Sequence, residues 1–155
     1  MSIENVRAYL KQFGREKDII ELDKSSATVQ LAAEALGVEA ARIAKTLSFK
    51  TSDGAIIIVV AGDARIDNKK FRTTFGLKAK MLSPEDVIEY TGHAIGGVCP
   101  FAITRDDVKI YLDESLKRFE TVFPACGSGN SAIKLTCEEL EVLSATKDWV
   151  NVCNY

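Results

Sequence analysis

The strongest constraint on the fold is the run Ala55-Ile56-Ile57-Ile58-Val59-Val60-Ala61. It is apolar at every position and shows no alternation. A strand with one wet face alternates, whereas one covered on both faces reads as a continuous apolar run. The run therefore predicts a strand at the centre of a sheet with layers on either side. Gly62-Asp63 ends it. Ser52-Asp53-Gly54 before it supplies hairpin chemistry and joins it to a strand over 45–50.

The remaining elements are shorter. Ile3, Val6, Tyr9, Leu10 and Phe13 fall at helical spacing over 3–13, after Ser2 as N-cap and before Gly14. A short strand over 18–22 precedes an alanine-rich helix that runs from the cap Thr28 to Gly37, and a helical turn lies within 38–44. Residues 67–75 read as a short basic helix, 80–82 as a short strand, and Ser83-Pro84-Glu85-Asp86 as the start of a helix running to about Tyr90. Strands are predicted over 108–112, 120–123, 131–135 and 149–152, with short helices opening at Asp113 and Thr136. Strands interleaved with helices in this way make an α/β (α+β) domain with a mixed sheet, a single domain over 1–155.

Composition excludes several classes. A net charge of −2 provides no global basic field for DNA or another long nucleic acid, so an RNA partner would have to be held locally. The N-terminus from Met1 reads as neither a signal nor a transit peptide, and no apolar run approaches the ~20 residues that span a bilayer. Cys99, Cys126, Cys137 and Cys153 include no C-x-x-C pair, and His93 is the one histidine, so neither zinc nor another metal is expected. Reduced thiols in a cytoplasmic protein are the simplest reading.

Four features could carry chemistry. Thr91-Gly92-His93-Ala94-Ile95-Gly96-Gly97-Val98-Cys99-Pro100-Phe101 is one. Its glycines let a backbone approach a ligand, and Pro100 stiffens it; a tight interior turn fits the composition equally well. Lys45 stands at the mouth of a strand, where a cation can meet a phosphate or carbonyl, or it is a surface lysine lying along apolar neighbours. Asp113 either orients a reacting group or caps a helix. Gly127-Ser128-Gly129 could form an amide nest for an oxyanion. Cys99 with His93 as base would be a cysteine hydrolase pair, provided the side chains meet; otherwise Cys99 is a small packed residue. No phosphate-binding P-loop or nucleophile-elbow motif is present.

Taken together, Lys45-Thr46-Leu47, Gly62-Asp63, the 92–101 loop, Leu112-Asp113-Glu114-Ser115-Leu116, Gly127-Ser128-Gly129-Asn130-Ser131-Ala132-Ile133 and the alanine-rich helix resemble the YbaK/prolyl-tRNA-synthetase-associated domain family over roughly residues 20–150. The resemblance is to the free-standing members, since a synthetase does not fit into 155 residues. It implies a mixed sheet curled around a pocket with flanking helices. It also implies hydrolysis in trans of a mischarged small or thiol amino acid (alanine, cysteine or serine) from tRNA, most of all the proline acceptor. The family uses neither a protein nucleophile nor a metal or other cofactor. Its lysine falls on Lys45, its G-x-x-x-P motif on Gly96 and Pro100, its later glycine on Gly127 and its acidic position on Asp113. Catalysis is thereby assigned to Lys45, Gly96 and Asp113. Substrate contacts are assigned to Thr28, Lys45, His93, Gly97, Cys99, Pro100, Gly127 and Ser128. The implied partners are the aminoacyl-tRNA acceptor end and a cognate synthetase, with no membrane or DNA. A non-catalytic module binding tRNA or an amino-acid-like ligand is the alternative, followed by the Cys99 hydrolase.

Overall fold

The computed structural model describes residues 2–146 and 148–155; Met1 and Lys147 lie outside the described residues. The elements in chain order are α1 (Ser2–Lys11), a 3-10 turn (Glu16–Asp18), β1 (Ile20–Glu21), α2 (Val29–Leu36), a 3-10 turn (Ala40–Arg42), β2 (Ile43–Lys50), β3 (Ala55–Ala61) and β4 (Arg65–Ile66). They continue with α3 (Asn68–Phe75), α4 (Pro84–Thr91), β5 (Val108–Asp113), a 3-10 helix (Glu114–Arg118), β6 (Phe123–Pro124), β7 (Ser131–Ala132), α5 (Cys137–Leu143), β8 (Trp149–Val150) and β9 (Cys153–Asn154). Among the described residues no helix is long and apolar enough to cross a membrane.

The main sheet has the order β6-β2-β3-β5-β8. β2 and β3 are antiparallel and the other pairings are parallel, which makes the sheet mixed. The apolar run is its central strand, and every residue from Ala55 to Ala61 is buried. Register sets which side chain faces which layer, because residues directly opposite one another share a face. Phe49 lies opposite Ile56, and α3 packs on that face through Phe71, whose ring centre is 4.9 Å from that of Phe49. Ser48 lies opposite Ile57, and that face is closed by Leu82 and by Val87 of α4.

Several helix ends follow directly from sequence chemistry. The Thr28 hydroxyl accepts the Leu31 N–H, Ser83 accepts the Asp86 N–H ahead of α4, and Gly37, Gly76 and Gly92 close their helices in the left-handed region.

The expected boundaries differ in several places. α1 stops at Lys11 rather than residue 13, because the N–H groups of Gln12 and Phe13 turn to the carbonyls of Tyr9 and Leu10, three residues back. The strand expected over 18–22 shortens to β1 behind a 3-10 turn. The segment 80–82 is one bridge, Phe49 to Met81, rather than a strand. The strands expected over 120–123 and 131–135 are shorter too. Their segments face each other through the bridge between Val122 and Leu135 and the bond from Ile133 N–H to the Pro124 carbonyl.

The two glycine loops touch backbone to backbone. A Cβ built on Gly97 would lie 2.6 Å from both the Gly127 carbonyl carbon and the Ser128 nitrogen. No side chain fits there, and neither neighbour is a flexible tip. Gly97→Ala is expected to destabilise the fold by about 1–3 kcal/mol, the cost of overpacking a tight site, and thermal unfolding against wild type measures it.

Candidate functional site

β2 has one closed edge and one open one. β3 pairs with it along nearly its whole length. On the other edge β6 pairs with Ile43 and Ala44, and the 80–82 segment meets the far end, where Lys50 N–H donates to the Lys80 carbonyl and Leu82 N–H to that of Ser48. Lys45, Thr46 and Leu47 lie between these two partners. Main-chain groups alternate in direction along a strand, so Thr46 turns its N–H and C=O to the same edge as Ser48 and Lys50, into the gap.

A cleft of about 280 Å³ wraps this open edge. That is near the lower end for small-molecule sites and too small for folded nucleic acid. It is lined by β2 from Ile43 to Ser48, by the 26–29 segment entering α2, by Leu82 and by Val87 of α4, by Ile95, Gly96 and Val98 of the glycine loop, and by Phe123, Ala125, Ser131 and Ala132. Most of these groups are apolar. Lys45 is the one charged residue lining it among the described residues.

Three loops build the wall opposite β2. Gly97 packs on Gly127 and Ser128, Ala27 lies 3.1 Å from where a Cβ on Gly96 would be, and Ser26 N–H donates to the Gly129 carbonyl at 2.6 Å. Gly96 has φ +98, a conformation open chiefly to glycine, and this lets the loop turn its main chain along the cleft.

The Lys45 ammonium donates to the Gly62 carbonyl at 3.3 Å, which uses one of its three hydrogens. Among the described residues no carboxylate lies within ion-pair distance of it. Burial lowers its pKa first; the neighbouring Cys153 and Asp63 oppose that shift, and Arg65 adds to it. The cleft is also lined by Ser26, from this wall, and by Thr46, from β2; their Oγ and Oγ1 atoms stand apart from the other hydroxyls. Both are buried with no hydrogen-bond partner among the described residues. Sequence reasoning did not single out either residue.

The structure brings Thr28, Lys45 and Gly96 to the cleft. Thr28 does so while its hydroxyl caps α2. Gly97 and Gly127 form the packing behind the wall, and the Ser128 hydroxyl is engaged by Asn130 and Ser131. The remaining three loop residues point inward. His93 is 1% exposed, held by the Ser2 hydroxyl at Nδ1 and the Phe101 carbonyl at Nε2, the latter at 2.7 Å. Cys99 Sγ is 3.5 Å from His93 Nε2, so the two do meet, but in the interior and outside the cleft. Pro100 is buried and lines a separate depression beside Tyr9. His93, Cys99 and Pro100 thus pack in the interior and do not line the cleft.

Asp113 is an interior residue too. It is fully buried at the end of β5, where its two oxygens accept the N–H groups of Ser115 and Val152, each at 2.9 Å. It fastens the C-terminal segment to the sheet and caps the 3-10 helix, outside the cleft lining.

This arrangement defines a class: an α/β domain with a small apolar cleft, one cation and main-chain groups along an open strand edge. Comparison with known proteins names it. Residues 23–143 match the model of the aminoacyl-tRNA editing domain, and the chain belongs to that family. It is 59% identical to YwhH, an uncharacterized protein of Bacillus subtilis (strain 168), over 99% of this chain and 98% of that one. It is 30% identical to EbsC of Enterococcus faecalis (strain ATCC 700802 / V583), a candidate Cys-tRNA(Pro)/Cys-tRNA(Cys) deacylase, over 70% of this chain and 66% of that one. Among solved structures, a candidate trans-editing enzyme for prolyl-tRNA synthetase superposes with a TM-score of 0.88 at 32% identity, covering 99% of this chain and 98% of that one.

Burial raises the Cys99 thiol to about 12 and also raises Cys126, so neither supplies thiolate at neutral pH. Two outcomes are expected. In a thiol-reagent assay on the native protein, half-buried Cys137 reacts first, and Cys99, Cys126 and Cys153 wait for unfolding. These raised acids keep their protons in the fold and release them on unfolding. Their contribution to stability is thus complete below the ordinary thiol value of about 9 and is lost as pH climbs towards about 12. Unfolding midpoints measured from pH 8 upward should fall.

Proposed function

We propose that this protein is a trans-editing deacylase, which hydrolyses the ester between a small, mischarged amino acid and the acceptor end of tRNA, most of all the proline acceptor. The observation that carries the reading is the lone cation Lys45 at the open edge of β2, in a small apolar cleft of an editing-domain fold.

The chemistry asks little of side chains. An aminoacyl ester is already activated, and holding a water in line with its carbonyl provides much of the acceleration. The water oxygen bonds to the carbonyl carbon, the bond from that carbon to the ribose oxygen breaks, and the ribose oxygen takes a proton. The products are a free amino acid and a tRNA with both terminal hydroxyls restored. The substrate's own 2′-hydroxyl can direct the proton. Lys45 stabilises the oxygen that becomes negative or anchors the terminal phosphate, with main-chain groups of Thr46 and Gly96 fixing the ester between them. The cleft's size sets selectivity, since a large side chain is excluded and a small one enters. A local grip on the acceptor end, in the cytoplasm and alongside a synthetase, suits a chain of net charge −2.

The test is single-turnover deacylation of alanyl-, cysteinyl- and seryl-tRNA of the proline acceptor. Wild type is expected to release one or more acyl groups, and Lys45→Ala to lose roughly 100- to 1,000-fold in rate, the usual loss when an oxyanion donor is removed. Cys99→Ala is expected to keep its activity. No release by folded wild type would leave a binding module, and an unaffected Lys45→Ala would remove Lys45 from the reaction.

A further inference from the structure

Ser26 and Thr46 come from opposite sides of the cleft. Ser26 lies in the segment that enters α2, pinned to Gly129 through its N–H, and Thr46 lies on the open edge of β2. Ser26 is 8% exposed, and its Oγ has no hydrogen-bond partner among the described residues; the buried Oγ1 of Thr46 has none either. The other cleft hydroxyls with recorded bonds are engaged, that of Thr28 in capping α2 and that of Ser131 with Ser128. A buried hydroxyl is costly to leave unpaired, so two of them that line one cleft, with no partner among the described protein groups, are free to bond whatever fills it.

Strand geometry indicates which part of a substrate they meet. Side chains alternate across β2, so Thr46 shares the Ser48 face, closed by Leu82 and Val87, while Lys45 leaves from the other face. The cation and the hydroxyls therefore serve different ends of a ligand that straddles the edge. The mouth of the cleft carries Met81 and Ile95, 60% and 66% exposed, which suits the nucleoside end. The Thr46 side, closed by buried Leu82 and Val87, is the side we assign to the acyl side chain.

Resting on the deacylase reading, we infer that Ser26 and Thr46 are specificity-determining residues that hydrogen-bond a hydroxyl on the acyl side chain, so that the substrate class is a hydroxy-amino acid ester, with serine as its smallest member. A site built to bond a hydroxyl discriminates against a same-shaped group that lacks it, because its own polar atoms are then left unpaired.

The test compares seryl-tRNA with 2-aminobutyryl-tRNA, in which a methyl replaces the hydroxyl at nearly constant shape, and with alanyl-tRNA. Wild type is expected to favour seryl over 2-aminobutyryl by at least about tenfold in kcat/KM. Ser26→Ala and Thr46→Val should each bring that ratio towards one, and Thr46→Ser, which keeps the hydroxyl, should restore it. Circular dichroism confirms that the variants fold, and the ratio itself is insensitive to a loss of active protein. Equal turnover of the two isosteres by wild type overturns the inference and leaves the deacylase reading standing. So does a variant that slows all three esters in proportion, which would place the hydroxyls at the ribose or in the fold. Release of none of the three esters overturns the inference, and the deacylase reading falls with it only if cysteinyl-tRNA, assayed beside them, is untouched as well.

Discussion

The cleft depends on one contact between two stretches of main chain. Gly97 lies so close to Gly127 and Ser128 that even a methyl group would collide with peptide atoms. That contact brings the 92–101 loop against the 127–131 loop, and the 25–28 segment joins them through the bond from Ser26 N–H to the Gly129 carbonyl. Three irregular segments thereby become one wall facing β2. Irregular backbone usually lies at the surface because its polar groups need partners. Here the segments partner one another: Gly97 N–H closes a turn on the Ala94 carbonyl, and Leu22 N–H reaches the Asn130 carbonyl. The wall holds its shape without large side chains, which leaves room for a ligand.

The facing side of the cleft is set by a gap in pairing. β6 and the 80–82 segment each satisfy one end of β2 and stop short of each other. An open strand edge is ordinarily a liability, since it invites another strand. This one is too short for that, and the glycine loops stand in front of it. What remains is the N–H and C=O of Thr46, beside Lys45. Its partly desolvated ammonium, in a mostly apolar lining, meets little competition from water for a carbonyl or phosphate oxygen. Nearby Asp63 carries much of its own charge against Arg118, which donates to both of its carboxylate oxygens.

The frame of this arrangement was legible in the sequence because it rests on local rules. Continuous apolarity placed 55–61 at the sheet centre, and Thr28 and Ser83 announced their helices; Lys45 read as a strand mouth, whereas β2 already begins two residues earlier at Ile43. The resemblance added the order of the motifs. What misled were residues whose meaning depends on direction. A loop with a histidine and a cysteine reads as reactive, yet His93 and Cys99 turn inward, because their loop must present small main chain outward and needs a filled interior behind it. Asp113 matched an acidic position, and its chemistry was spent on two backbone N–H groups. Ser26 and Thr46 gave no signal, since a serine before a helix and a threonine in a strand are commonplace. Their lack of partners exists only once the 25–28 segment, β2 and the glycine loops close around them.

Those two hydroxyls also bear on how a cleft with a single charged lining residue among the described residues can act. A metal or a nucleophile creates reactivity; an aminoacyl ester already has it. The remaining problem is to admit the right ester and exclude the rest, which is a matter of shape and hydrogen bonding. One cation can orient the ester, and fixed main-chain groups can hold it without reorganising during reaction. Discrimination among small side chains is harder, because a missing methylene changes binding by little, whereas a missing hydrogen bond to a buried group changes it by much more. On the proposed reading, polar atoms that meet the acyl side chain and have no hydrogen-bond partner among the described residues are an economical way to make that distinction in a cleft of this size.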